Sequence, residues 1–119
     1  MSLNAIAVSE ATGKSAGMMT VPPEYVEEGS PSAEVFVSSE FPAEGKFEAG
    51  IWVGTPGKLK IEGYPSDEVF TVIEGRIDMI NEDGSVVVVK VGESALMRKG
   101  WKGIFHVVEP TKKCFAAVG

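Results

Sequence analysis

A chain of 119 residues supports one hydrophobic core and is too short for two ordinary domains. Hydrophobic residues make up 44% and charged residues 24%, the balance of a folded globular protein and not of a disordered segment. The formal net charge of -6 repels polyanions, so neither nucleic acid nor an anionic membrane surface is an expected partner. No apolar run approaches the ~20 residues that span a bilayer. The opening "MSLNAIAVSEATGKSAG" lacks the basic start and continuous apolar stretch of a secretory signal, so the cytoplasm is the expected compartment. Cys114 is the single cysteine, cannot form an internal disulfide, and sits in the apolar run "CFAAV", where it is expected to be a buried spacer and not a reactive thiol.

Taken in chain order, "GKS" at Gly13 to Ser15 is not a phosphate loop, because that motif needs a glycine five positions before Gly13 and Val8 stands there. Residues 10 to 33 are rich in Ser, Gly, Pro and Glu and culminate in "VPPEYVEEGSPS". Residues 1–33 therefore read as an extended N-terminal arm, and 34–119 as a single domain. From Glu34 onward short β-branched and aromatic runs recur: "EVFVSS", "KFEAGIWVG", "KLKIEG", "EVFTVIEG", "RIDMI", "SVVVVKV", "SALM", "GIFHVV" and "CFAAV". Turn signals separate them, and the "DG" pair between "RIDMI" and "SVVVVKV" predicts a hairpin, since glycine accepts a backbone angle that a Cβ penalises. No long amphipathic helical pattern competes. Many short strands at this spacing predict an all-β antiparallel sandwich or barrel.

Two segments carry a resemblance. "GIWVGTPGKLKIEGYPSDEVFTVIEG" is similar to the Gly-x-Trp, Pro-Gly and Asp-Glu pattern of the cupin superfamily, with Gly75 closing the element and separated from Glu68 by six residues. "VGESALMRKGWKGIFHVVEPTKKCF" is similar to its second motif. Together they resemble the small single-domain cupins of the ureidoglycine aminohydrolase and ethanolamine-utilisation type. The resemblance implies an RmlC-like cupin β-barrel, an antiparallel jelly-roll sandwich, and a homodimer in which the arm or an edge strand packs on the partner. Metal-binding cupins place two histidines before the glutamate and one in the second motif. Counted onto this chain, those three positions fall on Glu62, Tyr64 and Gly103, and of the ligand set Glu68 alone remains.

A catalytic first-row metal needs several imidazole, thiolate or carboxylate ligands at one point. The chain has one histidine, His106, and strand alternation sets it on the face opposite Gly103. Oxygen from Glu62, Tyr64 and Glu68 suits a hard cation but falls short of its usual ligand number. No metal and no other cofactor is expected.

Glu68 shares a strand face with Phe70 and Val72 and so points into the barrel. There it serves either as a general acid or base or as a carboxylate satisfied by backbone or a lysine. Tyr64 is either a hydrogen-bond donor at the reaction centre or a rim ring. The expected catalytic pair is Glu68 and Tyr64. The expected substrate-binding set is Glu62, Trp52, Phe70, Trp101, Phe105 and Lys113, the aromatics forming cavity wall or plain core and Lys113 pairing with Glu68 or Glu109. The expected function is binding of a small polar metabolite, nitrogen-containing or carboxylate, by a metal-independent enzyme. A non-catalytic binding module and a structural dimer with a filled interior stand as alternatives.

Overall fold

The computed structural model describes residues 5–11, 13–19, 21–41 and 47–119. In chain order the strands are β1 (Lys14–Met19), β2 (Val26–Gly29), β3 (Ala33–Phe41), β4 (Phe47–Gly54), β5 (Gly57–Glu62), β6 (Asp67–Glu74), β7 (Arg76–Asn81), β8 (Val86–Lys90), β9 (Ser94–Met97), β10 (Lys102–Val107) and β11 (Thr111–Val118). A 3-10 turn, Pro23–Tyr25, precedes β2. Every pairing is antiparallel. Six strands form one sheet in the order β1-β3-β4-β11-β6-β9, and five form the other in the order β2-β5-β10-β7-β8. The non-consecutive neighbours are the crossovers of an antiparallel jelly roll.

Strand alternation builds the core between the sheets. Phe70 and Val72 of β6, Ile77 and Met79 of β7, Phe105 and Val107 of β10 and Phe115 of β11 are all buried, joined by Val89 and Met97. Their sequence neighbours Val69, Ile73 and Val88 face outward and are exposed. At ~25 cal/mol per Å² of apolar surface removed from water, inward rows of this kind are what hold two thin sheets together.

The connections follow their turn chemistry. Between β7 and β8 the Asp83-Gly84 pair sits in a tight hairpin in which the Asn81 carbonyl accepts from the Gly84 amide at 2.9 Å and Gly84 holds φ at +88°. Asp83 Oδ1 then accepts from the Ser85 amide and hydroxyl at 2.9 and 2.6 Å. Gly75, at φ +88°, turns β6 into β7 where a Cβ would overlap Thr111 Oγ1 and meet the Pro110 carbonyl oxygen at 2.5 Å.

Part of the region read as an extended arm is strand: β1 pairs with β3 and β2 with β5, each at the edge of its sheet. All six residues of β1 are exposed, so this strand buries neither face.

Candidate functional site

At one end the two sheets part around a cavity of about 400 Å³. Val35, Trp52, Leu59, Ile61 and Phe115 supply an apolar wall, and Ala16 and Met19 of β1 reach its mouth. Its polar groups come from Tyr64 and Ser66 in the turn before β6, Glu68 at the head of β6, Lys113 of β11 and Glu48 of β4.

The turn that carries Tyr64 is laced to the turn that precedes β10. The Tyr64 amide donates to the Trp101 carbonyl at 2.9 Å, and the Gly100 amide donates to the Tyr64 carbonyl at 2.8 Å. Asp67 Oδ1 accepts from the Lys99 amide at 2.8 Å and from Arg98 Nε at 3.1 Å. The Lys99 amide first, and Arg98 after it, hold the Asp67 carboxyl below the usual carboxylate range.

Glu68 is 5% exposed, and each of its oxygens meets a donor. Tyr64 Oη donates to Oε1 at 2.7 Å and Lys113 Nζ donates to Oε2 at 2.7 Å. Lys113 lies in an inward row with Thr111 and Phe115 and is 3% exposed. Its ammonium rests 4.4 Å from the centre of the Phe70 ring, 5.1 Å from that of Phe105 and 5.2 Å from that of Trp52. Trp52 and Phe105 meet edge to face with centroids 5.8 Å apart, which fixes the box around the ammonium.

Burial pushes the Lys113 ammonium below the ordinary lysine value, and Glu68 opposes that shift. Burial, the charge of Glu68 and the hydrogen bond to it push the Tyr64 phenol far upward. Tyr64 is thus a permanent donor. Chemically the Glu68–Lys113 pair, with Tyr64 holding the other carboxylate oxygen, can hold and pass a proton on the wall of the cavity.

Of the expected site residues, Trp52, Tyr64, Glu68, Phe105 and Lys113 line one cavity. Glu62 does not join them: along β5, Leu59 and Ile61 turn inward, so Lys58, Lys60 and Glu62 turn outward, and Glu62 is exposed and paired with Lys60 Nζ at 3.1 Å. Phe70 is core at 1% exposure and reaches the site only as a ring behind the ammonium. Trp101 is likewise off the cavity wall, with its indole Nε1 donating to Asn81 Oδ1 at 2.9 Å. Glu48 went unremarked in the sequence, although it stands four residues before Trp52 on the same strand face and that parity would have found it.

The EutQ-like cupin domain model matches residues 42–115, more than half of the chain. The chain belongs to the EutQ-like cupin family. No curated protein matches it. Among solved structures, a protein of unknown function from Pseudomonas syringae pv. tomato superposes with a TM-score of 0.74 at 21% identity, over 86% of this chain and 44% of that one. The Clostridium difficile EutQ protein gives 0.66 at 18% identity, over 95% of this cupin and 80% of its own length. An acetylacetone dioxygenase from Acinetobacter johnsonii gives 0.67 at 8% identity, over 100% and 76%. At these identities the likeness is one of fold.

The donor set of this cupin does not fit a metal. Glu62 faces solvent, Tyr64 spends its proton on Glu68, and both Glu68 oxygens are engaged. At Gly103 a Cβ would overlap the Ile80 carbonyl oxygen and meet the Trp101 ring at 2.6 Å, so the indole fills the space a ligand side chain would need. Among the described residues no group of three or more His, Cys, Asp and Glu side chains converges. His106 faces away from the cavity, across from Lys58 and Asp78 on the neighbouring strands.

Proposed function

We propose that this cupin binds a small metabolite in the barrel cavity and acts on it without a metal, with Glu68 as the proton-transferring group, Tyr64 as the donor that orients it and Lys113 as the cation of the site. The observation that carries this reading is the pairing of a 5% exposed carboxylate with a 3% exposed ammonium and a phenol on the wall of a cavity of about 400 Å³. Buried charge of this kind is weak evidence of stabilisation for its own sake, and at a cavity wall it favours a role in chemistry. A cavity of that size is within the range of small-molecule sites and counts against a filled, purely structural interior.

The test is a thermal-shift screen of small neutral and polar metabolites, followed by turnover assays on the hits with the wild type and Glu68→Gln. Binding by both proteins with turnover by the wild type alone is the expected result. Binding with no turnover by either protein makes the chain a binding module, and no hit at all removes the ligand reading.

The proposal extends to a homodimer. β1 buries neither face within its own chain, and Met18 and Met19 are 63% and 50% exposed. A second copy seated on β1 would cover these side chains and stand at the mouth of the cavity that Met19 lines.

A further inference from the structure

We infer that Lys113 is an imine-forming lysine whose Nζ takes the carbonyl carbon of a small neutral aldehyde or ketone held in the barrel cavity. The inference rests on the cavity being a small-molecule site and adds to it a nucleophile and a class of substrate.

The geometry places each part of such a step. Nζ lies on the cavity wall, 2.7 Å from Glu68 Oε2, close enough to hand over a proton directly. Tyr64 Oη on the other oxygen keeps that carboxylate in place. Walls from Trp52, Leu59, Ile61 and Phe115 suit the hydrocarbon body of a ligand. A lysine buried among apolar side chains is the usual form of an amine nucleophile, and burial lowers the affinity of Lys113 for its proton.

The step balances within these groups. The ammonium gives one proton to Glu68, and the neutral amine adds to the carbonyl carbon, forming the C–N bond as the C=O π pair moves to oxygen. A second proton passes from nitrogen to that oxygen, giving a carbinolamine. The proton held by Glu68 then converts the hydroxyl to water, the C–O bond breaks, and a protonated imine remains. Glu68 ends as the carboxylate it began as, and no oxidant or reductant is consumed.

The product is again a cation at the position of the ammonium. It faces the same carboxylate and the same three rings, at 4.4 to 5.2 Å, that surround Nζ. The carboxylate and the rings that offset the cost of burying the ammonium therefore offset that of the protonated imine as well. Charge also selects the substrate: the cavity carries the carboxylates of Glu48 and Glu68 against the single cation of Lys113, which disfavours oxo acids and leaves neutral carbonyl compounds.

The experiment incubates the whole protein at neutral pH with butanal and sodium cyanoborohydride and maps the reduced adduct by peptide mass spectrometry. The expected result is a butyl group on Lys113, the least accessible lysine, that appears sooner than on the exposed Lys60, Lys99 and Lys102, and slower labelling of Lys113 than of these overturns the inference. Glu68→Gln should lose the Lys113 adduct, with circular dichroism confirming that the variant is folded. Pyruvate in place of butanal should give no Lys113 adduct. Modification of exposed lysines with Lys113 spared overturns the inference, and so does the absence of any adduct. A thermal shift by butanal without reductant, accompanied by no adduct, overturns the imine and leaves the cavity as a binding site, so the two failures are told apart.

Discussion

Lys113 stands where strand alternation calls for an apolar side chain, flanked at two-residue spacing by Thr111 and Phe115. An unpaired ammonium there would face a desolvation cost of several kcal/mol, and the Glu68 carboxylate 45 residues earlier offsets it. The two are one unit, which gives a prediction in the form of a double-mutant cycle. Lys113→Met alone leaves a buried carboxylate and Glu68→Leu alone leaves a buried ammonium, each costing about 3–5 kcal/mol. The double variant should recover most of that loss, less about 1–3 kcal/mol for the Tyr64 hydroxyl left without an acceptor. Urea denaturation of the four proteins measures the coupling; strictly additive losses would show that the charges act independently.

How much of this was legible depends on the range of the interaction. Period two from Phe70 and Val72 is enough to turn Glu68 inward, and the same period from Leu59 and Ile61 turns Glu62 outward. Family spacing had set Glu62 beside the site, and local geometry overrules it. The partner of Lys113 was open between Glu68 and Glu109, because the register that brings β11 beside β6 depends on contacts far apart in sequence and not on any local pattern.

At the scale of elements, the strand runs from β3 to β11 and the hairpin at Asp83-Gly84 could be read from alternation and turn chemistry. β1 and β2 could not: they lie in Gly-, Pro- and Ser-rich sequence and β1 buries nothing, so no alternation marks it. The lacing of the turn before β6 to the turn before β10 was also invisible, since most of its bonds are made by backbone groups. That lacing has a pH signature.

The Asp67 carboxyl is held below its ordinary value, so the stability it contributes is present above the unfolded carboxylate value of about 3.9 and is lost as pH falls through the lower folded value. Asp67→Asn should therefore melt below the wild type at neutral pH, and the gap should close as both are taken into acid below that range. A gap that stays constant with pH would assign the effect to something other than the ionised carboxylate. Because Asp67 is at the surface, the expected difference in melting temperature is small.

For the whole molecule the unresolved accounting is apolar surface. Met18, Met19, Ile6 and Val8 of the N-terminal region are 63%, 50%, 59% and 37% exposed, and β1 is an edge strand of its sheet. A strand held by one ladder and no buried face has little to set against its conformational entropy, which argues for a second surface beyond those the described residues supply. The proposed twofold dimer seated on β1 would supply it and would bear on function, because Met19 and Ala16 belong to the cavity mouth and the partner would narrow access to Lys113. Light scattering coupled to size exclusion at micromolar concentration should give twice the chain mass for the intact protein. Met18→Asp should shift it to monomer, with the barrel still folded by circular dichroism because Met18 lies outside the core. A monomeric wild type would leave β1 without a partner, and a dimer indifferent to Met18→Asp would move the interface to another exposed apolar patch, such as Val69, Ile73 and Leu96 on the outer face of the six-stranded sheet.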